Sequence, residues 1–190
     1  PVFQNNTQQQ FLMALTKLNQ PFSVLVLDLR NNPGGVLSAA NDIASLFMND
    51  KVVVQIKNRQ GIQEVMRTHG TAQFAAFPLV VLQNRYSASA AEVLASALQN
   101  NQRAKVYGET SYGKGSIQSI VPINDNEAVK LTVAHDYSSK GEKIDGVGVK
   151  PDVTLTGAET SWQDQVLADL QTIKRSNQFL LKPTPTPQSF

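Results

Sequence analysis

Apolar positions repeat with two periods along this chain, and the two periods divide it into helices and strands. Phe11, Ala14, Leu15 and Leu18 recur at helical spacing. Thr7 and Gln10 stand before them in the relation of a capping box, so a helix is predicted over about 7–19, with Pro21 as its stop. Val24 to Leu29 (VLVLDL) is nearly all apolar and β-rich, which predicts a strand covered on both faces, as in a parallel sheet. Asn31-Asn32-Pro33-Gly34-Gly35 reads as a sharp turn, and Leu37, Ala40, Ala44 and Phe47 mark a second helix. Val52–Lys57 and Gln63–Thr68 are strand-like runs joined through Arg59-Gln60-Gly61, a hairpin pattern.

The second half continues in the same way. Pro78–Leu82 (PLVVL) predicts another buried strand. Tyr86 to Ala90 leads into a helix with Val93, Leu94, Ala97 and Leu98 on one face. Ala104–Gly108, Ile117–Ile123 and Ala128–Ala134 read as strands, 146–152 as a loop, and Ser161–Lys174 as an amphipathic helix. Lys182–Phe190 (KPTPTPQSF) predicts an extended, mobile tail. Strands and helices in alternation imply an α/β domain with right-handed crossovers.

Composition narrows the function classes. The 190 residues are 41% hydrophobic and 17% charged, enough to bury a core without staples. A net charge of +2, with no basic stripe, gives no argument for nucleic acid as a partner. No apolar run reaches membrane-spanning length. There is no cysteine, which excludes a disulfide framework and a thiol nucleophile. Two histidines, His69 and His135, without an H-E-x-x-H, argue against a metal, zinc above all. No cofactor is implied. The first residue is Pro1, so the chain reads as an internal fragment or a processed product.

Three segments carry candidate chemistry: DLRNNPGG (28–35), SASAAE (87–92) and GETSYGKGSIQ (108–118). Ser89 and Glu92 make an S-x-x-E capping box, so Ser89 reads first as a helix N-cap. A serine there also sits beside free N–H groups at the positive end of a helix, which is what a tetrahedral oxyanion needs. Lys114 lies in a Gly113-Lys114-Gly115 turn and reads first as a solvated loop lysine. Gly108-x4-Gly113-Lys114 also matches the start of a phosphate-binding loop. The position that should be Ser or Thr is Gly115, and the next segment reads as a strand rather than a helix.

In this order and spacing the three segments, with GVGVKPDV (146–153), resemble the carboxyl-terminal processing proteases, also called tail-specific proteases. The resemblance runs from about residue 3 to about 155. It implies a crotonase/ClpP-like α/β core with a mostly parallel sheet. It implies a serine endopeptidase in which Ser89 is the nucleophile, Lys114 the general base, and Gln118 the amide that holds the lysine amine. The backbone N–H groups of Ala90 and of Gly34 or Gly35 would form the oxyanion hole. Asp28 and Arg30 read as structural.

A lysine acts as base only when neutral. The drop from ~10.4 to the ~7–8 that such a base needs is roughly 4 kcal/mol, which burial away from carboxylates can supply. A neutral amide such as Gln118 orients an amine without raising its pKa as a carboxylate would.

The resemblance also sets expectations for the surroundings. Residues 1–181 would be the catalytic core and 182–190 a flexible tail. A PDZ module would belong to the missing N-terminal part, substrates would be polypeptides with apolar C-termini, and the location would be extracytoplasmic, in a bacterial periplasm or envelope or in a chloroplast lumen. Two departures stand out. The position eleven after the serine, acidic in some relatives, is Asn100, and the usual P-S-G turn is replaced by Ser138-Ser139-Lys140-Gly141. The rival readings are a non-catalytic relative that binds a peptide or lipophilic ligand, a crotonase-type acyl-CoA enzyme, and a Ser-His-Asp triad through His69 or His135.

Overall fold

The computed structural model describes residues 2–18, 22–124 and 127–177. Pro21 and the 182–190 tail lie outside them. The order is α1 (Thr7–Lys17), β1 (Leu25–Asp28), α2 (Leu37–Ser45), β2 (Val52–Asn58), β3 (Gly61–Arg67), β4 (Leu79–Gln83), α3 (Ala90–Asn100), β5 (Lys105–Gly108), β6 (Ser116–Asn124), β7 (Glu127–Tyr137), β8 (Val153–Thr154) and α4 (Trp162–Asn177). Glu159–Ser161 forms a single 3₁₀ turn that leads into α4.

Two sheets result. β1-β4-β5-β8 is parallel throughout, and β3-β2-β7-β6 is antiparallel. The expected α/β core with a parallel sheet is present, and the antiparallel half adds the Arg59-Gln60-Gly61 hairpin that the sequence predicts.

β4 is buried at every position, and its alternation explains why it has no polar face. Leu79 and Val81 pack with α2 and α3, against Ile43, Phe47, Val93 and Leu94. Val80 and Leu82 point the other way, into a second cluster with Tyr107, Leu155, Trp162 and Val166. A strand flanked on both faces has to be apolar on both. β1 is the sheet edge and is half-buried instead.

Arg103 fastens the loop before β4. Its guanidinium donates to the carbonyls of Phe47, Phe74 and Phe77 and stands over the Phe47 ring. Burial lowers its pKa from the usual arginine value.

Parallel order brings the carboxyl ends of β1, β4 and β5 to one edge of the sheet. The three motif segments are the loops that leave those ends. Open α/β sheets bind their ligands at such an edge.

Candidate active site

The loop after β4 turns into α3 at Ser89, which has φ 58° and ψ −124°. That is a left-handed conformation rare for a residue with a Cβ, and an ordinary N-cap is extended instead. The capping-box relation is kept. The Glu92 carboxylate accepts from the Ser89 N–H at 2.8 Å. The Ser89 side chain faces the Glu92 N–H, which also donates to the Ser89 carbonyl at 2.8 Å. The Ser89 side chain stands half-buried at the mouth of the helix.

Glu92 is fully buried and organises everything around it. Oε1 accepts from the Ser111 hydroxyl and from the Gly113 N–H at 2.6 Å. Oε2 accepts from the N–H of Lys114 at 2.8 Å and from that of Ser89 at 2.8 Å. One carboxylate oxygen thus joins the backbones of Ser89 and Lys114, which lie 25 residues apart in sequence. Four donors leave the buried charge well compensated. The sequence showed Glu92 only as a capping partner; its other three donors arrive from residues 111–114 and have no local signal.

The 28–35 loop closes the site from the side. Gly34 has φ +96°, and a Cβ there would lie 2.7 Å from Ser89 Cβ and 2.9 Å from the Ala90 nitrogen. Only glycine lets this backbone approach so closely. The Gly34 N–H donates to Asn32 Oδ1 at 2.9 Å. Among the described residues the N–H groups of Gly35 and Ala90 make no hydrogen bond. Of the two glycines expected to offer an N–H, Gly35 is the one whose donor is not engaged.

Behind the loop, Ser87 Oγ donates to the Leu29 carbonyl, and the Ala88 N–H to that of Asn32. Asn84 Oδ1 accepts from the N–H groups of Asn31 and Tyr86, while its Nδ2 donates to Asn31 Oδ1 and to Glu159. Arg30 pairs with Asp28 at 2.6 Å and donates to the Glu159 carbonyl at 2.6 Å. Asp28 raises the Arg30 pKa above the usual value, mainly through the side-chain hydrogen bond. Asp28 and Arg30 thus brace the loop, as read from the sequence.

The remaining candidates separate. Lys114 is exposed, which differs from the burial invoked for a neutral lysine, because its turn sits at the open edge of the parallel sheet. No hydrogen bond joins Lys114 Nζ to Ser89 Oγ among the described residues. Gln118 is an exposed residue of β6, opposite Thr132, and its amide bonds to neither. Asn100 closes α3. The histidines lie elsewhere: His69 pairs with Asp42 at 2.8 Å and His135 with Asp145 at 3.3 Å, and neither bonds to Ser89. A Ser-His-Asp triad is not assembled. Strand β6 begins directly after Gly115, so the phosphate-loop reading fails too.

Residues 1–155 match the family model described as Peptidase family S41. The chain belongs to this family. Within it, the chain is 43% identical over 151 residues to a carboxyl-terminal-processing protease of Synechocystis sp., covering 79% of this chain and 35% of that protein. It is 41% identical over 154 residues to a chloroplastic C-terminal processing peptidase of Tetradesmus obliquus, covering 80% and 33%. A solved photosystem II D1 C-terminal processing protease superposes with a TM-score of 0.74 at 40% identity, over 81% of this chain and 40% of that one. The chain spans about a third of the length of these curated relatives. The S41 match covers all three motif loops; α4 lies beyond it.

Proposed function

We propose that this S41 core is a serine endopeptidase that cleaves polypeptides near their C-termini, with Ser89 as nucleophile and Lys114 as base. The observation that carries the reading is the Glu92 Oε2 bridge, which ties the amides of both residues to one buried atom. The strained backbone of Ser89 supports it. Such strain persists only where the surroundings over-determine it, and here Gly34 packs against Ser89 and Glu92 holds its N–H.

Neutral Lys114 takes the hydroxyl proton as Ser89 Oγ attacks the scissile carbonyl. The N–H groups of Ala90 and Gly35 receive the oxyanion. Collapse expels the amine, which takes the proton from Lys114 and leaves an ester on Ser89. Water, deprotonated by Lys114, attacks the ester; the second adduct collapses with return of that proton from Lys114 to Ser89 Oγ, and the acid leaves. Gln118 would hold the amine once the β6 start and the turn close on a substrate.

Substrates would carry apolar C-termini, and a PDZ module in the full-length protein would capture them by strand addition. The site would be extracytoplasmic: a bacterial periplasm or envelope, or a chloroplast lumen, the latter in line with the three relatives named chloroplastic. No helix among the described residues is long and apolar enough to cross a membrane.

The test is cleavage of a polypeptide with an apolar C-terminus, read by mass spectrometry. Ser89→Ala is expected to lower the rate by about 10³-fold or more with an unchanged melting temperature. Equal rates for parent and variant would remove Ser89 from the mechanism. A second reading, a peptide-binding relative without turnover, draws on the exposed Lys114 and its missing bond to Ser89. A fluorophosphonate adduct on Ser89 excludes that reading.

A further inference from the structure

Three consecutive amides carry the Gly113-Lys114-Gly115 turn, and two carboxylates hold them. Glu92 takes the first two. The third, Gly115 N–H, donates to Asp145 Oδ1 at 3.2 Å. The carbonyls are held by the same neighbourhood. Gly115 O accepts from the Asp136 N–H at 2.7 Å, and Gly113 O from the Gly146 N–H at 2.9 Å. Contact is close enough that a Cβ on residue 115 would stand 2.7 Å from the Asp145 nitrogen.

Oδ2 of Asp145 lies 3.3 Å from His135 Nδ1, which makes no hydrogen bond among the described residues, and 3.8 Å from Lys143 Nζ. His135 is the register partner of Ser116, the next residue along the chain from Gly115. Asp145 therefore sits between the exit of the turn and β7.

A lysine amine stands at the end of four flexible bonds. Its reach to a hydroxyl is set first by the two peptide planes that flank its Cα. Glu92 fixes the plane before Lys114, and Asp145 fixes the one after it. A displacement of about 1 Å at a reacting group can cost roughly 10²-fold in rate.

We propose that Asp145 is a positioning residue for Lys114: its carboxylate accepts the Gly115 N–H and so directs the lysine side chain toward Ser89. This rests on Ser89 and Lys114 being the reacting pair.

The experiment compares Asp145→Ala with Asp145→Asn in the 190-residue chain. Asn keeps an oxygen that can accept the Gly115 N–H and removes the charge, while Ala removes both. Asp145→Ala is expected to lower kcat by about 10-fold or more with KM within about 2-fold, and Asp145→Asn to stay within about 3-fold of the parent. In chains with ¹³C-labelled lysine, the Lys114 ε-methylene signal, assigned by its loss in Lys114→Ala, should move in Asp145→Ala and return in Asp145→Asn.

An unmoved Lys114 signal in Asp145→Ala overturns the proposal whatever the activity does. So does an Asn variant as impaired as Ala, which would make the effect one of charge. A general shift of all lysine signals with a lowered melting temperature would show a merely structural role and overturn it as well. Should the parent be as inert as Ser89→Ala, the peptidase reading falls, and the lysine signal still decides whether Asp145 directs Lys114.

Discussion

At the scale of single residues the site turns on how many donors one carboxylate can accept. Glu92 takes four: the N–H groups of Ser89, Gly113 and Lys114 and the Ser111 hydroxyl. A glutamine has the same shape but presents an NH2 group where one oxygen was. That group would face two donors with two more donors, in a fully buried place. Glu92→Gln is therefore expected to be nearly as damaging as Glu92→Ala, each losing roughly 2–5 kcal/mol of stability, with activity falling along with it. Urea denaturation of the two variants measures this. A Gln variant as stable as the parent would mean that the carboxylate charge and its second oxygen are dispensable.

At the scale of elements, β7 joins the site to the antiparallel sheet through neighbours that point to opposite faces. His135 Nδ1 lies 3.3 Å from Asp145 Oδ2. Asp136 is buried, its Oδ1 has no hydrogen-bond partner, and its backbone N–H holds Gly115. Burial raises the Asp136 pKa to about 6, with repulsion from Asp145 and Glu92 adding to it. Lys143 Nζ lies 3.8 Å from Asp145 Oδ2.

A carboxyl whose folded pKa lies above its unfolded value of ~3.9 keeps its proton longer in the native state. Its contribution to stability is then fully present below about pH 4, is lost as pH rises through about 6, and is absent above that. Other carboxylates impose slopes of their own, so the informative quantity is the difference between parent and Asp136→Asn. The variant should be more stable than the parent by roughly 1–3 kcal/mol at pH 8, with a much smaller difference at pH 4. Denaturation at the two pH values checks this, and an equal difference at both would leave Asp136 with an ordinary pKa.

The same strands show what a sequence can and cannot disclose. PLVVL disclosed a strand buried on both faces because its apolar run has no polar alternate. The Arg59-Gln60-Gly61 hairpin was legible from turn chemistry. β8 was not, because two residues carry no period. The left-handed Ser89 was hidden inside an ordinary-looking capping box, since the loop that packs on it, at Gly34, comes from 55 residues upstream. Asp145 was not singled out, because it stands one residue before the 146–152 loop and in none of the motif segments. Each missed feature depends on contacts between segments far apart in the chain, where local pattern has no information.

At the scale of the whole molecule, the question is where the folding unit ends. The S41 match stops at residue 155, yet the parallel sheet has two faces to cover. α2 and α3 cover one. The other, carrying Val80, Leu82 and Tyr107, is closed by Leu155, Trp162 and Val166, two of which lie on α4. The Tyr107 hydroxyl bonds to Asp169 on the same helix at 2.7 Å, and burial raises its pKa above the usual tyrosine value. The 3₁₀ turn before α4 also holds the active-site loops, through Glu159 to Asn84 and Arg30.

α4 is thus part of the core rather than an appendage, and Trp162, 1% exposed, is its principal anchor. Trp162→Ala is expected to cost about 3–5 kcal/mol. The indole N–H is buried without a partner, so Trp162→Phe gives up no hydrogen bond and should cost less than half as much. Thermal denaturation of the two variants distinguishes a packing role from a polar one. If Trp162→Ala melts with the parent, the second face of the sheet does not need its helix, and the folding unit ends where the family match does.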